Sequence, residues 1–185
     1  MPAAPRPPLP LPSPPLGNHA AGIGLRPWGG SASDAAVLAE AWADPDIARW
    51  NAVPDARSEA DAAYWISGEG ARRDLGLAID LVVFQMGDPS SVHGEVGLVV
   101  VEPDQGWAEV GFWLQPGSRG AGRARSALVL LTEWAFERAG ITRLVGRTHP
   151  DNPRSAGVLA AAGYRAAGTL DDGTQVWLRD SSRPS

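Results

Sequence analysis

A strand-like run that leads through a glycine-rich turn into a long helical pattern constrains this chain more than any other feature. Residues 107–114 (WAEVGFWL) are typical of a strand, and Pro116 and Gly117 turn the chain directly after it. Residues 119–124 (RGAGRA) then open a helical repeat that extends to about residue 139. Unpaired backbone N–H groups converge at a helix start, where the macrodipole also favours negative charge. The arrangement predicts a binding site for a phosphate-bearing ligand.

Two residue types that are common in catalytic sites are missing from the 185-residue sequence. It has no cysteine, which excludes disulfides, thiolate nucleophiles and cysteine-based metal sites. All sixteen basic residues are arginine, and the lack of lysine excludes a Walker-type phosphate loop and Schiff-base catalysis. The three histidines, His19, His93 and His149, lack the spacing of a metal-binding helix. We therefore expect no metal site.

Charge and hydropathy narrow the classes of partner. The formal net charge of −5 argues against a general nucleic-acid binder. No apolar stretch is long enough to span a bilayer. Pro10 and Pro12 interrupt the apolar residues near the N-terminus where a secretory signal would have to run. We expect a cytoplasmic protein, monomeric or homodimeric, with no nucleic-acid and no membrane partner.

The first residues differ in composition from the rest of the chain. Residues 1–16 contain eight prolines and few side chains able to build a core. This composition predicts a disordered tail over residues 1–21, and the alternative is a proline-rich docking peptide. Residues 22–180 contain no internal repeat and no long linker, so they are expected to form one domain, followed by a frayed terminus over residues 181–185.

The order of the predicted elements gives the fold class. A short strand over 22–28 precedes two helices, the first beginning near Ser31 or Ser33 and the second near Ser58. Three strands of an antiparallel meander follow, over residues 75–84, 94–101 and 107–114. A helix from residue 124, a strand, a short helix that starts at Asn152 and a last strand complete the chain. This order predicts one α/β domain with a mixed, mostly antiparallel central sheet flanked by helices, and a parallel strand–helix–strand unit at the ligand site.

Three stretches of the sequence together resemble the GNAT superfamily of N-acetyltransferases, and within it the Rim-type branch named for ribosomal-protein N-terminal acetylation. Residues 119–124 (RGAGRA) fit the family pattern Gln/Arg-x-x-Gly-x-Gly/Ala. Residues 152–155 (NPRS), followed by Gly163-Tyr164, are similar to the Asn-x-x-Ser and Gly-Phe of the family. Residues 44–51 (DPDIARWN) look like the Rim-type loop between the first helices. Together the three stretches extend over most of residues 22–180.

The resemblance implies that the phosphate-bearing ligand is acetyl-coenzyme A, bound as a co-substrate. Its pyrophosphate would lie on the backbone amides of Arg119, Gly120, Ala121, Gly122, Arg123 and Ala124. Its pantetheine arm would pair like an extra strand with the backbone of Phe112, Trp113 and Leu114. Asn152 and Ser155 would also contact the cofactor. The residue types agree with these roles, because glycines let the main chain approach a pyrophosphate and arginines supply charge-assisted donors.

The catalytic candidates are strand glutamates and one serine. Acetyl transfer requires a neutral amine, a polarised carbonyl and a proton for the leaving thiolate. Glu109, beside the expected thioester position, is our first candidate for a base acting through water, and Glu95 on the preceding strand is the second. Many GNAT enzymes place a tyrosine acid seven residues after the helix asparagine, but this chain has Leu159 there. Ser155 is the candidate acid instead, unless its hydroxyl only bonds the helix backbone.

The remaining candidates concern the acceptor. Trp50 and Asn51 are expected to line the acceptor pocket, whereas a single unpartnered histidine such as His149 is expected to be structural. We interpret the chain as an acetyl-CoA-dependent N-acetyltransferase that uses direct transfer in a ternary complex. The acceptor would be a primary amine, on either a peptide N-terminus or a small molecule. The alternative is a catalytically weak acyl-CoA-binding or sensor module of the same fold.

Overall fold

An eight-stranded mixed sheet runs through the computed structural model, which describes residues 6–181. The strands are β1 (Leu16–Asn18), β2 (Ile23–Pro27), β3 (Ala78–Gln85), β4 (Asp88–Glu102), β5 (Trp107–Leu114), β6 (Arg143–Thr148), β7 (Arg165–Thr169) and β8 (Gln175–Asp180). Their spatial order is β1-β2-β3-β4-β5-β6-β8-β7. All neighbouring strands are antiparallel except β5 and β6, which are parallel because α4 connects them. The predicted fold class is confirmed.

Five α-helices cover the two faces of this sheet. They are α1 (Asp34–Ala43), α2 (Pro45–Trp50), α3 (Glu59–Asp74), α4 (Arg123–Arg138) and α5 (Pro153–Ala161). Alternate strand residues pack on opposite faces, so two buried clusters form. The larger cluster lies between the sheet and α4, and the smaller one lies beneath α1, α2 and α3. Within residues 6–181, no helix is long and apolar enough to cross a membrane.

Local capping explains where the helices next to the site begin. Asp44 accepts hydrogen bonds from the backbone N–H groups of Asp46 and Ile47 at 3.0 and 2.8 Å, which starts α2. Ser58 and Asp61 form a reciprocal capping box at the start of α3. Because Asp44 also ends α1, α2 begins immediately after α1, and its residues Asp46, Ile47 and Trp50 line the same cleft as the end of β5.

Residues 6–21 pack on the domain and do not form the disordered tail that their proline content predicts. The Leu9 side chain is 2% exposed within the larger cluster, and its N–H donates to the Arg73 carbonyl at 3.0 Å. The Arg6 guanidinium donates to the Ala139 carbonyl at 3.1 Å, and β1 pairs with β2. The physical reason is that a proline-rich segment is already extended in the unfolded chain, so it loses little conformational entropy when it becomes ordered. The burial of one leucine side chain can offset that small loss. The predictions for residues 1–5 and 182–185 lie outside the described residues.

Candidate active site

A cleft of about 1330 Å³ opens where β5 and β6 separate. The two strands pair from Trp107 and Arg143 as far as Val110 and Gly146, yet β5 continues to Leu114 and β6 to Thr148. Residues 111–114 therefore pair with β4 on one side only. A free strand edge presents backbone groups with which an extended chain can pair. This edge contains Phe112, Trp113 and Leu114, which the resemblance assigns to the cofactor arm, and all three line the cleft.

The glycine loop forms one end of the cleft. Gly120 and Gly122 have φ values of +84° and +73°, a region that favours glycine. Among the described residues, no atom beyond the chain neighbours lies within 4 Å of where a Cβ would stand at either glycine. Gly122 is the N-cap of α4, whose first turn has no side-chain cap and no acidic residue. The loop therefore leaves backbone N–H groups and space for an anion.

Three arginines surround this loop. Arg119 donates from Nε to the Leu114 carbonyl at 3.0 Å and forms an ion pair with Asp46 of α2. Arg125 donates to a carbonyl of α5 at 3.0 Å. The Arg123 Nε is buried and has no hydrogen-bond partner within residues 6–181. A buried N–H without a partner is costly, and a phosphate oxygen would satisfy it. The residues present therefore fit an anionic ligand.

All but one of the residues predicted to contact the cofactor line the cleft. The predicted cofactor residues that line the cleft are Phe112, Trp113, Leu114, Arg119, Gly120, Gly122, Arg123, Ala124, Asn152 and Ser155. Ala121 does not line it, and its side chain is exposed to solvent.

The start of α5 forms the opposite wall. The Asn152 side chain accepts a hydrogen bond from the Ser155 N–H at 3.2 Å, so it caps this helix while it lines the cleft. Leu159 is 1% exposed, and its methyl groups pack against Gly146 of β6. An apolar side chain cannot donate a proton, so this wall offers Ser155 rather than residue 159 as a hydroxyl donor.

Glu109 lies where β5 and β6 stop pairing. Its strand partners are Val99 on β4 and Val145 on β6. Its carboxylate accepts a hydrogen bond from Arg147, and the two side chains are 29% and 48% exposed. Both residues line the cleft. Water can therefore reach a carboxylate that an ion pair holds in one position beside the free edge of β5.

Glu95, the second candidate base, is not among the residues that line the cleft. Its Oε2 accepts from the Trp28 indole at 2.7 Å, and its Oε1 accepts from the Trp113 indole at 3.1 Å. Loss of hydration raises the pKa of Glu95 to about 8, and the Asp80 carboxylate acts in the same direction. Both carboxylate oxygens are thus occupied by indole donors. The structure does not support Glu95 as the base.

The side of the cleft beside α2 is open and partly apolar. Trp50 and Asn51 line the cleft. The Trp50 ring centroid lies 4.4 Å from the Arg49 guanidinium carbon and 5.4 Å from the His149 ring centroid. His149 also lines the cleft, and its Nδ1 accepts from the Asp151 N–H at 3.1 Å. The contact between the Trp50 and His149 rings therefore connects α2 to the loop after β6.

Sequence reasoning missed several lining residues on this side, including Val99, Val101 and Arg147. Val99 and Val101 are 49% and 40% exposed. They belong to an almost continuous apolar run, and such a run predicts a fully buried strand. The sequence pattern therefore does not indicate that these two side chains are exposed. Helices α1 and α3 leave this part of the sheet uncovered.

Comparisons with known proteins agree with this geometry. Residues 23–165 match the family model described as an acetyltransferase (GNAT) domain. The uncharacterized N-acetyltransferase p20 of Bacillus licheniformis is 25% identical over 145 residues, which are 75% of this chain and 78% of that protein. The ribosomal-protein-serine acetyltransferase of Escherichia coli K12 is 26% identical over 114 residues, 62% of each protein. The structure of Mycobacterium smegmatis RimJ in complex with CoA-disulfide matches with a TM-score of 0.75 at 23% identity, covering 94% of this chain and 86% of that chain.

Proposed function

Because the chain belongs to the GNAT family of acetyltransferases, we propose that it transfers an acetyl group from acetyl-CoA to a primary amine. Acetyl-CoA supplies the acetyl group as an activated thioester. The observation that carries the proposal is one cleft that joins the free edge of β5 to the glycine loop at the start of α4. These two features suit the two chemically different parts of coenzyme A, an amide-containing arm and a pyrophosphate.

The phosphate end is proposed to bind through backbone and guanidinium donors. The N–H groups at the start of α4 and the unpaired Arg123 Nε supply hydrogen bonds to phosphate oxygens. Gly120 and Gly122 allow the close approach of the main chain. The RimJ structure with CoA-disulfide, which shares the fold of this chain, supports the choice of ligand.

Glu109 is proposed to act as the base. Its carboxylate would take the amine proton through a water molecule, since an amine must lose its charge before it attacks a carbonyl. Arg147 holds the carboxylate at the separation of β5 and β6. The sequence contains no cysteine that could carry an acetyl group, which supports direct transfer in a ternary complex.

Ser155 is proposed as the residue that donates a hydrogen bond to the leaving sulfur. Its backbone N–H is already bonded to Asn152, and its side chain lines the cleft. Leu159 offers no hydroxyl at the position where many GNAT enzymes carry a tyrosine. Asn152 then serves two purposes, as helix cap and as a cofactor contact.

A peptide N-terminus is the acceptor class that the open side of the cleft favours over a small amine. Val99 and Val101 form an exposed apolar floor next to Glu109, and the first side chains of a peptide could lie on it. The relative named a ribosomal-protein-serine acetyltransferase supports the same class. Trp50 and Asn51 would contact the acceptor from the α2 side.

The test is a panel assay of thiol release from acetyl-CoA, with N-terminal peptides in one arm and small amines in the other. Turnover in the peptide arm is the expected result, and turnover confined to small amines would transfer the acceptor assignment to that class. Cofactor binding without turnover on either arm would favour the binding or sensor module. A chain that does not bind acetyl-CoA would overturn the proposal.

A further inference from the structure

A histidine behind the glycine loop connects that loop to the sheet. His93 is the extra residue of a β-bulge, because Val83 pairs with Gly94 while Phe84 pairs with Val92. The histidine is 9% exposed. Its Nδ1 lies 2.9 Å from the Ser118 Oγ, and its Nε2 lies 3.2 Å from the Gln85 Oε1. Bulges redirect side chains, and this one brings the ring against the segment that precedes the loop.

The partners determine where each proton lies. The Gln85 Nε2 donates to the Gly22 carbonyl at 2.9 Å, so its Oε1 faces the histidine and must accept. His93 therefore carries its proton on Nε2 and presents the Nδ1 lone pair to Ser118, whose hydroxyl donates. Burial and the nearby Arg123 lower the pKa of His93, which agrees with a neutral ring.

Ser118 is held by its backbone as well as by its side chain. It is 7% exposed and immediately precedes Arg119. Its N–H donates to the Gln115 carbonyl at 2.9 Å, and its carbonyl accepts from Arg123 Nη1 at 3.2 Å. Gln115 in turn donates from its N–H to the His93 carbonyl at 2.9 Å. Both ends of the 119–122 loop are thus anchored, at Ser118 and at the first residue of α4.

We propose that His93 and Ser118 are positioning residues for coenzyme A, through the hydrogen bond from the Ser118 hydroxyl to the His93 Nδ1. This bond holds the glycine loop in the shape that presents its N–H groups to the phosphates, although neither residue lines the cleft. A loop ordered in advance loses less conformational freedom when the ligand binds. The inference rests on the proposed function, since it takes coenzyme A as the ligand of the loop.

Three variants test the hydrogen bonds at Nδ1 and at Nε2 of the His93 ring separately. Ser118→Ala removes the donor. His93→Gln keeps a donor toward Gln85 but removes the acceptor toward Ser118, whereas His93→Asn places an amide oxygen near the Nδ1 position. Isothermal titration of the full chain with coenzyme A is expected to show binding weakened about five- to tenfold for S118A and H93Q, the size expected for one hydrogen bond. H93N is expected to stay within about twofold of the unmodified chain.

A kinetic measurement distinguishes positioning from general loss of structure. The KM for acetyl-CoA is expected to rise in S118A, while kcat at saturating acetyl-CoA and the KM for the acceptor change by less than about twofold. Ser67→Ala is the matched control, because it removes a hydroxyl that donates to the Tyr64 carbonyl on α3, remote from the cleft.

Two results would overturn the inference: S118A that binds coenzyme A as tightly as the unmodified chain, or H93N and H93Q that are equally impaired. An unmodified chain that does not bind coenzyme A would instead overturn the proposed function, so the two failures are distinguishable. Since S118A removes only one oxygen atom, it tests the bond even where a histidine variant fails to fold.

Discussion

The carboxylate of Glu109 accepts a hydrogen bond from the guanidinium of Arg147. Glu109 directly precedes Val110, and Arg147 directly follows Gly146, the two residues that form the last pair between β5 and β6. This ion pair bridges the two strands at the mouth of the gap between them. Both side chains are partly exposed, so the carboxylate keeps contact with water while its position is restricted. A base for an amine that enters the gap needs both properties.

Glu109→Gln is expected to lower kcat by about a hundredfold or more, because general-base catalysis typically contributes that much. The affinity for coenzyme A should remain within about twofold, since Glu109 belongs to the paired part of β5 and not to the phosphate loop. Thiol release measures the first quantity and calorimetry the second. Glu102→Gln, an exposed glutamate at the end of β4, is the control. Equal turnover in E109Q and E102Q would remove Glu109 from the mechanism.

Gly122→Leu is expected to weaken coenzyme A binding by at least about tenfold, because a left-handed φ costs a leucine about 1–2 kcal/mol and its side chain would enter the cleft. The φ value is +73° and the space at the Cβ position is open. Gly117→Leu is the matched control, since that site is equally open but has no positive φ and does not line the cleft. Calorimetric Kd values of the two variants should differ; similar values would contradict the loop assignment.

Glu95→Gln is expected to change the pH dependence of stability. The pKa of Glu95 is raised to about 8 in the folded chain, so the folded state binds its proton more tightly than the unfolded state does. Between its unfolded value, near pH 4.3, and pH 8, this group therefore lowers stability as the pH rises, by at most about 1.4 kcal/mol per pH unit. A glutamine does not titrate, so the stability of E95Q relative to the unmodified chain should increase between pH 5 and pH 8.

Urea denaturation at both pH values measures this difference. At pH 5 the variant is expected to be slightly less stable, because the amide nitrogen of glutamine cannot accept from the second indole. Glu40→Gln, an exposed position on α1, is the control and should show no such trend. A stability difference between E95Q and the unmodified chain that stays constant with pH would show that the carboxyl group keeps an ordinary pKa.

Leu9→Ala is expected to lower the free energy of unfolding by about 2–4 kcal/mol, as for other buried leucines. Leu9 is 2% exposed in the main cluster, whereas Leu11, two residues later, is 42% exposed. Leu11→Ala is thus a control in the same proline-rich segment and should cost less than about 1 kcal/mol. Denaturation curves of the two variants measure both changes in the free energy of unfolding. Equal, small effects would mean that residues 6–21 contribute little to folding.

The parts of this protein that are encoded locally could be predicted from the sequence. The strand over residues 107–114, the glycine loop and the helix after it depend on side-chain alternation, on glycine's access to positive φ and on helical periodicity, all of which act between near neighbours. The cap at Asn152 is local in the same way. These features also carried the family resemblance, so the fold class and the proposed cofactor loop followed from them.

Short edge elements could not be predicted, because their own residues contain no pattern. All five residues of β7 are exposed and lack apolar alternation, and β1 is only three residues long. Each exists because a neighbouring strand offers backbone partners. The burial of Leu9 is similar, since it depends on a gap in the core that distant residues create.

The tertiary structure alone separated the two candidate bases. Glu95 and Glu109 lie on neighbouring strands and, by the register of Glu95 with Trp113 and of Glu109 with Val99, on the same face of the sheet. Sequence alternation cannot distinguish them. The indoles of Trp28 and Trp113, which belong to the cluster beneath the first helices, hold both oxygens of the Glu95 carboxylate, whereas Glu109 lines the cleft. The sequence by itself determined which residues form the strand, loop and helix, but where the helix layer ends is decided by contacts between segments far apart in the chain.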